Sequence, residues 1–175
     1  VYESSSAEET IILETAPMDV VPHSVHLFLE QVSHGLYDGP SFYWNANHLL
    51  QAGVQHSEKL QAQFEKHPSL YNVIFQEYSP YFSHQPYTLG YAGRPGGPDF
   101  YINLEDNSKE HGLGGQTHHL SDLVRDADPC FAKVVRGFEA VDRVHRSDVH
   151  GGRYEHAMIH PVTITKMRLL YNSCL

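Results

Sequence analysis

The chain has 175 residues, 41% of them hydrophobic and 11% aromatic. That is one domain's length with enough apolar material for a full core, which excludes intrinsic disorder, and no apolar run approaches the roughly 20 residues of a membrane-spanning helix. Twelve Lys and Arg stand against 21 Asp and Glu, for a net charge of −9 with His neutral. This balance argues against nucleic acid as the main partner, because counterion release needs clustered basic side chains.

The unusual count is His, at 14, whose full protonation would carry the net charge to +5. Imidazoles titrate near pH 6.5, so mild acid could invert the sign of the chain's charge. Scattered surface His and a metal site would both give such a count. Two cysteines, Cys130 and Cys174, allow one disulfide without requiring it. A start at Val1 rather than Met, the acidic balance and a Cys130–Cys174 pair, if formed, suggest a secreted or lumenal domain, the ectodomain of a larger precursor.

Residues 1–9 are polar and acidic and read as a flexible tail, leaving 10–175 as a single domain. Thr10 to Thr15 is a short β-rich segment. Ala16-Pro17-Met18-Asp19 is a turn. Val25, Phe28, Leu29 and Val32 share one helical face, with Pro22 at the entry and Gly35 at the exit. After the Gly39-Pro40 breaker, Ser41–Asn45 and His48–Gly53 read as two strands around a bend. Residues 56–67 form a short helix or an ordered loop, and Val73-Ile74-Phe75 is a short apolar run. Tyr87–Tyr91 alternates weakly before a dense Gly/Pro turn at 93–98, and Phe100–Leu104 is a strand. Residues 105–119 form a long polar loop, of a length that is usually functional or mobile. Cys130–Val135 is a strand, and Phe138, Val141 and Val144 mark a second main helix. Val162–Leu170 alternates and predicts the last strand. Many short strands with two main helices favour a β-barrel with helices at its ends.

In this order the segments resemble a cyclophilin domain. Thr10–Thr15, Val21-Pro22 and Phe28 resemble its opening strand and helix. Phe42 through Gln51-Ala52-Gly53 resembles the segment that carries its catalytic Arg and a conserved Gln. Leu89–Gly93, Pro98–Ile102, Cys130–Gly137 with Val141, and Val162-Thr163-Ile164 follow in register over about residues 10–170. The resemblance implies a mainly β fold, a closed eight-stranded antiparallel barrel capped by two α-helices, and the chemistry of a peptidyl-prolyl isomerase. In that chemistry an Arg hydrogen-bonds near the prolyl nitrogen and weakens amide resonance, the source of a barrier of about 18–20 kcal/mol. An apolar pocket holds the proline ring.

Residue by residue, much of that site is replaced. Trp44 stands where the resemblance implies the Arg, and it cannot supply a charged bidentate donor. His48 and Leu49 fall near the Phe-Met pair of the pocket, in a segment one residue shorter. Gln51 is kept. Asp99 replaces a Gln, Tyr101 replaces a pocket Phe, Leu123 falls near the site Trp, and Asp128 falls near the site His. Arg94, on the adjacent turn, is the one candidate for a replacement guanidinium, the alternative being a solvated turn residue. Trp44, His48, Tyr91 and Tyr101 would converge on the groove as an aromatic-lined cleft, or else cover barrel surface left by a shortened loop.

No cofactor is expected. His111, His118 and His119, with Asp106 and Glu110, lie in the Gly-rich loop, but their spacing matches no metal-ligand pattern. His156 and His160 are four apart, yet Pro161 disfavours helix there. The functional expectation is a cyclophilin-like domain that binds a peptide or proline-containing segment in a modified groove, with weak or absent isomerase activity. The alternatives are an active but atypical prolyl isomerase and a His-based metal- or glycan-binding protein.

Overall fold

A computed structural model describes residues 8–115, 126–151 and 155–170. Strands β1 (Ile12–Thr15), β2 (Ser41–Asn45), β3 (Leu49–Gly53), β4 (Thr88–Tyr91), β5 (Phe100–Asn103), β6 (Cys130–Arg136) and β7 (Ala157–Thr163) alternate with helices α1 (Pro22–Ser33), α2 (Glu58–Glu65) and α3 (Phe138–His145). All strand pairs are antiparallel, in the order β1-β6-β4-β5-β3-β2-β7. Among the described residues there are seven strands, and no hydrogen-bonded pairing of β1 with β7 closes the sheet. The expected mainly β architecture is present, but with three helices instead of two and, among the described residues, an open seven-stranded sheet in place of the expected closed eight-stranded barrel.

The last strand lies earlier than the hydrophobic alternation predicts. It ends at Thr163, and 164–170 have no regular structure. Ile164, Met167 and Leu169 still pack against the core. Their backbone bonds go elsewhere: Ile164 N–H donates to Pro40 O (2.7 Å) and Met167 N–H to Asp38 Oδ1 (2.9 Å). Alternation thus gives ladder membership incorrectly and burial only in part, since Val162 and Leu170 are exposed. Pro161 sits inside β7, which is tolerated because β7 is an edge strand.

Helix α1 buries Val25, Phe28 and Val32 as the periodicity predicts, and adds Ser24, Leu27 and Gln31. Its N-terminus has no side-chain cap of its own. Glu77 serves instead, accepting from Ser24 N–H (2.8 Å), Ser24 Oγ (2.7 Å) and His23 N–H (3.2 Å). A carboxylate there meets the positive end of the helix dipole and two orphan amides, and it holds the irregular 71–87 segment against α1. The 56–67 segment is helical because Ser57 caps it: Leu60 N–H donates to Ser57 Oγ (3.4 Å). From the acidic tail, Glu9 is tied to Arg143 of α3.

Strand register decides which residues enter the core. Val162, Phe42, Ala52, Phe100 and Tyr91 stand opposite one another across β7, β2, β3, β5 and β4, and the last four are buried in the main apolar cluster. One register step away, Ala157, Trp44, Gln51, Tyr101 and Gly90 form the next row. The two rows are out of step by one ladder position because Tyr43 is bulged out between Phe42 and Trp44. Trp44 and Tyr101 belong to a separate small cluster with Ala46, Leu49 and Ala92.

Behind the sheet, Gln31 is fully buried. It accepts from Tyr91 Oη (2.7 Å) and Tyr37 Oη (2.9 Å) and donates to Leu70 O (2.8 Å). Burial pushes both phenols well above their usual pKa, so they remain hydroxyl donors. Gln31→Leu leaves Tyr91 without its acceptor and Leu70 O without its donor. The expected loss is about 2–4 kcal/mol in urea denaturation. An Ala in place of Gly90 would set its Cβ 2.6 Å from Cζ and Oη of Tyr101. Gly90→Ala is therefore expected to displace that ring and lose about 1–3 kcal/mol by the same measurement, and an unchanged midpoint would contradict this packing.

Candidate functional site

The row Trp44, Gln51, Tyr101, Gly90 lies across β2, β3, β5 and β4. Side chains on alternate rows face opposite sides of a sheet, so this row faces away from the main core. Gly90 supplies no side chain, and the Tyr101 ring lies across it. That brings the Tyr101 hydroxyl to Asp128, just before β6, where Oη donates to Oδ2 at 3.1 Å.

Asp128 is itself buried and joins three segments. Its Oδ2 is 2.7 Å from His111 Nδ1; an ionised carboxylate only accepts, so Nδ1 carries the proton. Its Oδ1 accepts from Arg94 Nη2 at 3.4 Å, and Arg94 Nη1 is 3.7 Å from Asp126 Oδ2. Backbone bonds repeat the connection: Asp128 N–H donates to His111 O (2.8 Å) and Gly114 N–H to Asp126 O (2.8 Å). The long polar loop is thus fastened beside the sheet with His111 over Tyr101, ring centroids 4.8 Å apart.

Tyr101, His111, Arg94 and Asp128 line a cavity of about 170 Å³ with Gln51, Leu49, Ala92 and Gly93. Burial, then the Asp128 charge, pushes the Tyr101 phenol well above its usual pKa. The hydroxyl therefore stays protonated, a donor to Asp128.

The structure gathers some of the expected residues and separates others. Leu49, Gln51, Tyr101 and Arg94 line the cavity. Trp44 is half-buried beside it, against Ala46, Leu49 and Tyr101, with its indole 5.3 Å from the His156 ring. His48 stacks on His111 at 6.0 Å; desolvation, then His111, lowers its pKa. Tyr91 lies in the opposite row, fully buried and stacked 4.3 Å from Phe131, so it is a core residue. Asp99 points its carboxylate at Val54 N–H (2.7 Å) and Tyr43 Oη (2.7 Å) and braces the β2–β3 region. Arg94 is not a solvated turn residue, since its side chain is only 13% exposed. Leu123 lies outside the described residues.

Of the loop histidines, His111 enters the site as Asp128's partner, while His118 and His119 lie outside the described residues. Asp106 accepts from Ser108 N–H, 2.9 Å away, and closes a local turn; Glu110 is exposed. His160 is an exposed residue of β7 rather than a helical partner of His156. No group of three or more His, Cys, Asp or Glu able to hold a metal occurs among the described residues. Cys130 is a free, buried thiol, pushed up to about 12 by burial, and Cys174 lies outside the described residues. No helix among the described residues is long and apolar enough to cross a membrane.

Sequence reasoning missed two residues, His84 and Asn107. Asn107 accepts no exposure to speak of, at 2%. Its amide donates to His48 O (2.8 Å) and Asn103 Oδ1 (2.8 Å), and its backbone N–H donates to His84 O (2.9 Å). His84 lies under Tyr101 at 6.1 Å and beside His111 at 5.7 Å. Neither residue stands in a motif, and only the tertiary fold brings the three histidines together.

Comparison of the sequence with curated proteins finds no match. Among solved structures, the chain is similar to a cyclophilin type peptidyl-prolyl cis-trans isomerase of Cryptosporidium parvum, determined in the presence of the dipeptide Ala-Pro. The TM-score is 0.64 at 17% identity, covering 93% of each chain. A second structure of that protein gives a TM-score of 0.64 at 16% identity, covering 93% of this chain and 91% of the other. At such identities these likenesses show the shared fold. The family model for cyclophilin type peptidyl-prolyl cis-trans isomerase/CLD matches residues 5–169, nearly the whole chain, and with it the chain belongs to the cyclophilin family.

Proposed function

We propose that this cyclophilin domain binds a peptide or proline-containing segment in the groove beside Gln51 and Tyr101, and that its prolyl isomerase activity is weak or absent. The family and the fold support an isomerase-type function. The Ala-Pro dipeptide supplied to the Cryptosporidium protein supports a proline-containing ligand.

The observation that carries the reading is the tethering of Arg94. Catalysis of prolyl rotation requires a donor that reaches the prolyl nitrogen in the twisted transition state, where resonance is lost. Trp44, opposite Gln51 in the ladder, offers only an indole N–H. The guanidinium at the groove, Arg94, is paired with both Asp126 and Asp128. The charge-assisted Nη2–Asp128 bond is worth about 1.5–3 kcal/mol, Asp126 adds an ion-pair contact at 3.7 Å, and donating to substrate from Nη2 competes with the Asp128 bond. The groove floor is also polar where an apolar ring would sit, because the Tyr101 hydroxyl, His111 and Asp128 share it.

A second reading has one observation in its favour. Arg94 Nε and Nη1 are both buried without a hydrogen-bond partner among the described residues. An atypical isomerase would use one of those N–H groups as its donor while the carboxylates hold the guanidinium in place.

A protease-coupled prolyl isomerisation assay on the purified chain separates the readings. The expected outcome is a rate close to the uncatalysed one, with Trp44→Arg raising it by about tenfold or more, on the order of 1.4 kcal/mol off the barrier. A wild-type rate comparable to that of ordinary cyclophilins, lost in Arg94→Ala, would establish the atypical isomerase instead.

A further inference from the structure

His84 is fully buried, and neither ring nitrogen has a hydrogen-bond partner among the described residues. An imidazole carries at least one N–H and one acceptor lone pair, so leaving both unpaired costs free energy, and a proton on the ring would add an unpaired buried charge. The ring is packed nearly parallel to Tyr101 (22°) and beside His111. These are two of the side chains that form the groove floor. We propose that His84 is an acid-sensitive wedge beneath the groove: protonating it breaks its packing against Tyr101 and His111, and the floor held by Asp128 comes apart. As regulation of the groove, this rests on the peptide-binding reading above.

The groups facing His84 allow that sense of the effect. Tyr101 comes from β5, His111 from the following loop with His48 stacked behind it, and Asp128 from the segment before β6. Cys130, whose Sγ donates to Ser83 O (3.5 Å), lies on the neighbouring residue's side. Among the described residues, Asp128 is the anion that would stabilise a charged His84, and it is already engaged by His111, Tyr101 and Arg94, which also contacts Asp126. Desolvation, then His111, lowers the His84 pKa from 6.5 to about 4, against a smaller opposing pull from Asp128.

A His whose pKa is lower in the folded state than in the unfolded chain contributes stability above pH 6.5. That contribution is lost as pH falls from 6.5 towards 4. From these two values the folding constant is expected to fall roughly 30-fold between pH 7.5 and pH 5 on account of this residue alone.

The test uses the whole chain. Ring resonances followed by NMR from pH 7.5 to 4 should show His84 neutral to below pH 5, while denaturant titrations show the loss in folding constant. Trp44, which packs against Tyr101 and is the only Trp, reports the floor by its emission. These titrations are run with His156→Gln present, because His156 touches the indole. In His84→Phe and His84→Leu the roughly 30-fold share should vanish and the Trp44 transition should move to lower pH. A His84 ring titrating near 6.5, or pH profiles unchanged in the variants, would overturn the proposal, and the NMR result decides it if neither variant folds. Failure to bind a proline-containing peptide at pH 7.5 would instead sink the binding reading, without altering these profiles.

Discussion

The groove is organised around one carboxylate. Asp128 takes a hydroxyl from β5, an imidazole from the long loop and a guanidinium from the β4–β5 turn, and its backbone amide adds a fourth tie to His111. A buried carboxylate is costly to desolvate unless its lone pairs are used, and here three donors use them. The dependence runs both ways. Tyr101 and His111 are buried polar groups that need the acceptor, and Arg94 is held out of solvent by the same charge. Three chain segments with no regular pairing among themselves thereby share one polar anchor. The same anchor makes the groove floor polar and cross-linked.

Most of the fold is legible in the sequence because each element carries its own signal. Pro22 and the Val25–Phe28–Val32 spacing mark α1, Phe100–Asn103 and Cys130–Arg136 are dense in strand formers, and Gly39-Pro40 breaks the chain where β2 begins. The misplaced last strand shows the limit of such signals. Within 164–170 Ile164, Met167 and Leu169 pack on the core while Leu170 is exposed, and the amides of Ile164 and Met167 bond to Pro40 and Asp38. An apolar pattern does not fix ladder bonds, which depend on what lies alongside.

Periodicity makes the site legible where it lies on a strand, while Arg94 and Asp128, off the strands, are reached only through the family resemblance. Gln51 and Tyr101 could be placed because β3 and β5 are clear and the two residues are ladder partners. Tyr91 was misplaced by one register step: Phe100, its partner, faces the core, and its neighbour Gly90 is the one opposite Tyr101. In a period-two element an error of one residue exchanges core for groove. Asp128, Asn107 and His84 lie in irregular segments, where no periodicity fixes direction. His48, His84 and His111 are brought together by Asn107, whose amide groups bond two of those segments. No local pattern encodes that meeting. The excess of histidine was visible at once, but its division between surface and groove was not.

The two rows of the sheet also explain how the family likeness can span the chain while the groove's chemistry changes. Phe42, Ala52, Phe100 and Tyr91 form the core row, and Gln31 and α1 complete the packing behind it. Trp44, Gln51 and Tyr101 occupy the other row and pack into a separate cluster. A substitution of an outer-row side chain leaves the volume of the main core untouched, although Gly90 in the same row has no room for a Cβ beside Tyr101. A change at Trp44 or Tyr101 therefore alters what the groove can donate and accept without dismantling the main core. The bulge at Tyr43 keeps the two rows independent within β2, since it lets Phe42 serve one row and Trp44 the other. Core and groove thus draw on different residues of the same strands, and the groove's chemistry comes from the outer row together with Asp128, His111 and Arg94.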